Sequence, residues 1–397
     1  MRDMPSATSL SAASTRAVSL SAALPSAEPR SSAPLSSDLP TPSAASSSAL
    51  PSSSAPTPAA RQARSCLDEI VSVASSAGEA FGSAAVDIVV GQGGAVELVG
   101  CYRLHEVLGR GSYAVVHRAH NLEAARNGFP EEVAVKLIDV AKVEAHASLP
   151  TVDAEVQLMK SLHHPYIVTL YEELVLAERG QRVLVQEYMA GGELFARLVA
   201  HGAFPEEEAA ILMAELFSAL AYLHERGIAH RDVKPENICF EEVASESTLM
   251  SSIRLIDFGF AAVVLAEEDA ASEWMGSPQY VAPEQLAGQT RGGTPSDLWA
   301  CGVVLYSMLC GFPPWTASVG AGLEEQIAKG AYQFFSPWWD AITDDAKALV
   351  RGLLTIDPKR RLTALQAEQH VWVRSCGGAL PLEEGEAPDT APGALPT

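Results

Sequence analysis

Apolar residues change their spacing along this chain. Over residues 102–118 and 131–138 they alternate with polar ones, the period-two pattern of strands with one buried face. Further on the spacing lengthens to three and four. That predicts helices near 152–162, 193–200, 206–226, 295–310 and 343–354. Strands first and helices after them is an α+β order, or two lobes, rather than an alternating βαβ chain. Before residue 102 the signals are weaker. Residues 67–73 are faintly helical, and 86–90 and 96–99 read as strands parted by the break at Gly91–Gly94. No function follows from that stretch, and no internal repeat is visible.

The first sixty residues follow neither pattern. They hold 18 Ser, 14 Ala and 9 Pro and no aromatic residue, too little apolar bulk to offset chain entropy, so disorder is expected there. Such a Ser/Ala-rich leader also has some likeness to an organelle transit peptide, although arginine is sparse. The expected organisation is a biased tail over 1–62, an undetermined extension over 63–100, the main folded domain over 101–374 and a short acidic tail over 375–397. The net charge of −22 lies entirely in residues 61–397, because three basic and three acidic residues cancel in the leader. A strongly acidic body disfavours nucleic acid and anionic membrane surfaces as partners. No apolar run approaches the roughly 18 residues of a membrane span. Six cysteines without CxxC spacing (Cys66, Cys101, Cys239, Cys301, Cys310, Cys376) read as free thiols of a reducing compartment. A cytoplasmic monomer is expected, or an organellar protein if the leader is a transit peptide.

Three strings carry chemistry. Leu108-Gly109-Arg110-Gly111-Ser112-Tyr113-Ala114-Val115-Val116 places two glycines where a backbone turn can approach phosphate oxygens. Alone it equally describes a short hairpin. Val133-Ala134-Val135-Lys136 then sets a lysine inside an apolar strand, which is costly unless its ammonium meets a phosphate or a carboxylate. Glu155, at the head of the pattern Val156, Met159, Leu162, is the carboxylate to hand. His230-Arg231-Asp232-Val233-Lys234-Pro235-Glu236-Asn237 and, further on, Asp257-Phe258-Gly259 supply a hydroxyl-proton acceptor, a cation for phosphate and two oxygen ligands of the kind magnesium prefers.

Taken together, these strings resemble the eukaryotic protein kinase family, serine/threonine type, over about residues 102–373. Gly276-Ser277-Pro278-Gln279-Tyr280-Val281-Ala282-Pro283-Glu284, Asp297-Leu298-Trp299-Ala300-Cys301-Gly302 and Asp357-Pro358-Lys359-Arg360-Arg361-Leu362-Thr363-Ala364 follow in family order. Gly191-Gly192-Glu193-Leu194-Phe195 and His370-Val371-Trp372-Val373 are similar to the calcium/calmodulin-dependent group. The resemblance implies a two-lobed kinase fold, with a β-rich N-lobe over about 101–186 and a helical C-lobe over about 190–374. It also implies an enzyme that uses ATP and Mg2+ to phosphorylate Ser or Thr of protein substrates.

The same resemblance implies roles residue by residue. Lys136 holds the α- and β-phosphates and pairs with Glu155. Asp232 accepts the substrate hydroxyl proton, and Lys234 steadies the γ-phosphate. Asn237 and Asp257 bind magnesium. The backbone from Glu187 to Met189 meets adenine, and Gln186 guards the back pocket. The glycine-loop residues 108–116, Ala134, Glu193 and Cys239 complete the ATP site. His230, Asp297 and the Glu284–Arg361 pair are implied to be structural, His230 by packing on Phe258. Glu193 and Glu236 are expected to face the incoming peptide and favour basic residues before the target; solvated surface acids are the alternative.

This chain departs from the family pattern at Ala114, where the loop's third glycine usually stands, and at Ser277, where Thr is usual. Residues 260–275 contain Ser272 but no Thr or Tyr. Glu273 takes the place of the phosphorylated residue that pairs, in many relatives, with the arginine matching Arg231. Activity without activating phosphorylation is therefore expected, unless Glu273 is one more acid in an acidic loop. No EF-hand pattern occurs, and residues 375–397 hold no Lys or Arg, so no calmodulin target is expected in them. Two other readings stay open: a kinase-like binding module without catalysis, and a tyrosine kinase. Lys234 and Gly276-Ser277-Pro278 speak against the second.

Overall fold

A computed structural model describes residues 86–91, 94–145, 151–243, 252–264, 277–315 and 322–376, all within the unit Ala55–Thr397. The sequence signals fall on these residues, except those of the leader, of residues 67–73, of the acidic tail and of residues 265–276, which include Ser272 and Glu273 and lie outside them.

Seven antiparallel strands form the N-terminal sheet: β1 (Val86–Gly91), β2 (Gly94–Val99), β3 (Tyr102–Arg110), β4 (Ala114–Asn121), β5 (Glu132–Asp139), β6 (Leu170–Leu176) and β7 (Gln181–Glu187). Their order is β1-β2-β3-β4-β5-β7-β6. The weak strand signals before residue 100 are thus real, and β2 joins β3 by Leu98 opposite Arg103 and Val99 opposite Tyr102. Alternation then sorts each strand's side chains. Val133 and Val135 of β5 pack with Val183 and Val185 of β7 and Tyr102, Leu104 and Ala119 in one cluster. Ala134 and Lys136, one residue out of step, are left on the other face, towards the cleft.

One helix of this lobe, α1 (Val152–Ser161), begins at Thr151, whose hydroxyl accepts the N–H of Ala154 at 3.2 Å. Val152, Val156 and Met159 bury one side of it and carry Glu155 inward with them. The helices α2 (Leu194–His201), α3 (Glu206–Glu225), α4 (Pro283–Leu286), α5 (Thr294–Cys310), α6 (Leu323–Lys329) and α7 (Asp344–Leu353) make up most of the second lobe. Nearly every residue of α5 is buried, Ser296, Asp297 and Ser307 among them, so the helix runs through the core of this lobe. Four of the described cysteines (Cys101, Cys239, Cys301 and Cys310) are free thiols. Among the described residues no helix is long and apolar enough to cross a membrane.

Because the described sheet starts at Val86, a chain beginning near Ala63 keeps every strand. Its specific activity on an added peptide is expected to stay within about tenfold of the full chain, because the composition of residues 1–62 offers too little apolar bulk for a core. A larger change in either direction would show that residues 1–62 act on the domain.

Candidate active site

The hairpin between β3 and β4 is closed by the N–H of Gly111 on the carbonyl of Ala114 at 2.9 Å. A Cβ built at Gly109 would meet no protein atom within 4 Å. The fold therefore does not require glycine there, whereas a ligand lying against the backbone would. Across the sheet Gly109 stands opposite Val116, and Val116 opposite Lys136. One face of three strands thus delivers the loop, an apolar wall and the lysine to the same place.

Lys136 Nζ donates to Glu155 Oε1 at 2.7 Å and to Asp257 Oδ1 at 2.8 Å. Three distant segments meet on one ammonium. Burial works against its charge, but Asp257 and then Glu155 outweigh that, so Lys136 stays protonated well above the ordinary lysine range. The same contact holds the Asp257 carboxyl down at about 2, against the pull of burial.

The catalytic-loop candidates are fixed from beneath by Asp297 of α5, which is 1% exposed. Its Oδ2 accepts the backbone N–H of His230 at 2.9 Å and its Oδ1 that of Arg231 at 2.8 Å; His224 Nε2 lies 2.9 Å from Oδ2. Burial alone would raise this carboxyl, yet the contacts with His224 and His230 hold it below the usual range. His230 sets its ring edge-on to Phe258, centroids 4.9 Å apart, and its Nε2 lies 3.1 Å from the carbonyl of Ile256. That is a packing role. Arg231 and Asp257 both adopt left-handed backbone, φ 67° and 60°, which non-glycine residues hold only where the surroundings compel it.

Asp232 Oδ2 receives Lys234 Nζ at 2.6 Å and Asn237 Nδ2 at 2.9 Å. Asn237 Nδ2 also donates to the Asp232 carbonyl at 2.8 Å, so its amide nitrogen is engaged and its amide oxygen is the atom offered to a cation. Ser277 Oγ lies 3.1 Å from Lys234 Nζ and 3.4 Å from Asp232 Oδ1, a partner that sequence reasoning noted only as a kept hydroxyl. Arg231 Nε donates to the carbonyl of Gly292 at 2.7 Å.

A cleft of about 400 Å³ runs between the lobes. Fifteen predicted site residues line it: Leu108, Gly109, Arg110, Gly111, Val116, Ala134, Lys136, Gln186, Glu187, Met189, Glu193, Lys234, Asn237, Cys239 and Asp257. Ser112, Tyr113, Ala114 and Val115 do not; they line a separate hollow of about 180 Å³ with His117 and Leu137. For Val115 the reason is period two, while Ser112 and Tyr113 precede β4 and Ala114 stands at its start. Val115 pairs with Leu137 and Val116 with Lys136, so the two valines face opposite sides. Glu155 is also absent from the wall and acts through Lys136. Val168, Gly192, Glu236 and Ile256 join the lining. Ile256 could have been found from its place beside Asp257, but Val168 sits in no motif.

Gly191 explains how Glu193 reaches the cleft. A Cβ at Gly191 would come within 2.2 Å of the Glu242 carbonyl oxygen and 2.5 Å of Phe240 Cβ. Only glycine lets this turn close on the strand Ile238–Phe240, where Glu193 pairs with Cys239. Burial, and then Glu193, pushes the Cys239 thiol up to about 12, so it is a neutral floor and not a nucleophile. Glu193 itself is raised by burial first and by Glu236 second, with Lys234 opposing. Glu236 Oε2 is buried without a hydrogen-bond partner.

The residues present suit ATP with magnesium. Among the described residues no three His, Cys, Asp or Glu side chains could hold a metal by themselves. Asp257 and Asn237 offer two oxygen ligands, and magnesium characteristically takes one or two from protein and the rest from phosphate and water.

A lysine locked to two carboxylates, a loop hung from a buried aspartate and a glycine hairpin over the cleft are the arrangement of a protein kinase fold. The family model described as the protein kinase domain matches residues 102–373, and the chain belongs to that family. Its fold is the two-lobed α+β kinase fold. Among curated proteins it is similar to "Serine/threonine-protein kinase DCLK3" of Mus musculus, 38% identical over 278 residues, which are 70% of this chain and 33% of that protein. The chain thus spans about a third of the length of that relative.

Proposed function

We propose that this chain transfers the γ-phosphate of ATP to Ser or Thr hydroxyls of protein substrates. The observation that carries this reading is the joined set Lys136–Glu155–Asp257 beside Asp232–Lys234–Asn237, with Ser277 on both Asp232 and Lys234. Asp232 accepts the proton of the attacking hydroxyl, whose oxygen bonds to the γ-phosphorus as the bond to the bridging oxygen breaks and ADP leaves. Lys234 lies within hydrogen-bond distance of that carboxylate and neutralises charge on the moving phosphoryl group. Lys136 holds the non-transferred phosphates. Asp257 and Asn237 would hold magnesium, which supplies charge neutralisation of the phosphate oxygens when bound. Positioning and fixed charge do the work, because phosphoryl transfer asks little covalent chemistry of the protein.

Radiolabelled transfer from Mg-ATP to an arrayed Ser, Thr and Tyr peptide library tests this. Transfer to Ser and Thr peptides well above the Asp232→Asn protein is expected. Equality of the two proteins would leave a binding module without catalysis, and transfer to tyrosine alone would overturn the hydroxyl class.

The preferred peptides carry arginine or lysine before the target. Glu193 and Glu236 are close enough to repel each other, and the buried Glu236 oxygen has nothing to bond. An arginine supplies both the opposite charge and the donors. The sign of the pH dependence follows from Glu193. Its carboxyl is raised, so it takes up a proton at higher pH than an ordinary glutamate. The advantage in kcat/KM of an arginine peptide over its neutral analogue should therefore shrink as pH falls from about 7 towards about 5, and Glu193→Gln should flatten the profile. A library led by acidic or proline-flanked peptides would rule the preference out.

A further inference from the structure

Glu155 reaches Lys136 only while α1 keeps one rotation about its own axis. The apolar side of the helix does not fix that rotation by itself, because hydrophobic contact is non-directional. A set of ion pairs beside it does. Lys136 of β5 stands opposite Leu184 of β7, and Leu184 opposite Glu173 of β6, so the three form one row on one face of the sheet. Arg182, two residues before Leu184, shares that face.

Glu173 is 6% exposed. Its Oε2 accepts Lys160 Nζ at 2.9 Å and its Oε1 accepts Arg182 Nη1, while Arg182 Nη2 donates to Asp153 Oδ1. The series Asp153–Arg182–Glu173–Lys160 thus starts and ends on α1 and has its middle on the sheet. Asp153 and Lys160 are seven residues apart, so the helix is held at two points about 10 Å apart along its axis. Glu155 stands about 200° round the axis from Asp153 and about 140° from Lys160. A rotation that drew Glu155 off Lys136 would therefore pull on both anchors. Lys160 is lowered by burial first and by Arg182 second. The two cations repel each other, and the carboxylate of Glu173 between them makes the arrangement favourable.

We propose that Glu173, Arg182 and Lys160 are positioning residues, which lock α1 at the rotation that sets Glu155 on Lys136 and so govern the grip on the ATP phosphates. The inference rests on the kinase reading above for the role of Lys136.

Calorimetric titration of the full chain with Mg-ATP and, separately, with adenosine tests this, with thermal unfolding of each variant alongside. Adenosine has no phosphates for Lys136 to hold. Glu173→Gln is expected to weaken Mg-ATP at least about tenfold, as loss of a charge-assisted contact does, and adenosine by less than about twofold. Adding Lys160→Met should recover part of the loss, because the repulsion between the two cations is gone. In a Glu155→Gln protein the change Glu173→Gln should cost no further affinity for Mg-ATP, since both act through one contact. Equal weakening of Mg-ATP and adenosine in a folded variant would reduce the set to general stability and overturn the inference. Losses that multiply in the double variant would do the same. Where Glu173→Gln fails to fold, Asp153→Asn carries the test, its side chain being 71% exposed. A loss of about two- to fivefold on Mg-ATP is expected from it, again absent from the Glu155→Gln protein, and no loss would overturn the inference. Phosphate transfer to a Ser peptide is measured in parallel. Mg-ATP bound without transfer would strike the proposed function, while the binding data still decide the positioning role.

Discussion

Asp232→Asn is expected to lower kcat on protein or peptide substrates by about 10²–10⁴-fold, the usual worth of a positioned acid–base group, with KM for ATP little changed. The geometry sets both halves of that expectation. Asp232 accepts from Lys234 and Asn237 and is 5% exposed, so asparagine fits the space but cannot take a proton. It lies outside the wall of the 400 Å³ cleft proposed to take ATP, so the residues assigned to ATP are left in place. Initial rates across ATP concentrations, with thermal unfolding of the variant alongside, measure both. A loss under about tenfold in a folded variant would remove Asp232 from the role of proton acceptor, for no positioned base is worth so little.

The second large effect concerns stability. Arg361→Ala is expected to cost about 3–5 kcal/mol, because it strands a buried carboxylate. Arg361 forks onto Glu284, Nη1 to Oε1 at 2.7 Å and Nη2 to Oε2 at 2.8 Å, with side chains 0% and 5% exposed. Its remaining donors meet the carbonyls of Pro295, Thr355 and Ile356, so one side chain ties α4, the head of α5 and the loop after α7. Arg361→Lys should recover little, since an ammonium cannot make the two-pronged contact. The double change Glu284→Leu with Arg361→Met should recover more stability than Arg361→Ala leaves, because it removes both buried charges. Urea unfolding of the four proteins gives the comparison. A cost below about 1 kcal/mol for Arg361→Ala would mean that water reaches Glu284 and that the pair is not sealed.

Much of the site was legible in the strings themselves. Lys136 in an apolar strand demanded a partner, and Glu155 was the carboxylate that helical spacing offered. Asp232, Lys234 and Asn237 sit within six residues, so local chain geometry nearly suffices to bring them together. Period two was legible as well, yet the glycine-loop string was read as a block. That is why Val115 was placed in a cleft that Val116 faces and Val115 does not; Ser112, Tyr113 and Ala114, in the turn before β4 and at its start, line the other hollow with it. Val168 could not be found from sequence, since it reaches the cleft through the pairing of its N–H with the Leu255 carbonyl, 87 positions away. Ser277 was visible as a hydroxyl, and its contact with both Asp232 and Lys234 was not. Arg231 was expected to face Glu273, which lies outside the described residues; the Gly292 carbonyl, which accepts from Arg231 Nε, was not foreseen.

The sequence by itself determined the elements and the cast of reacting groups, because strand and helix periods, glycine turns and short catalytic strings act over a few residues of chain. Tertiary structure alone decided which groups share a charge. Lys136 meets Asp257 across 121 positions, Asp297 holds the backbone of His230 across 67, and Arg361 closes on Glu284 across 77. Coulomb energy and desolvation depend on distance and burial in space, and neither can be read from separation along a chain.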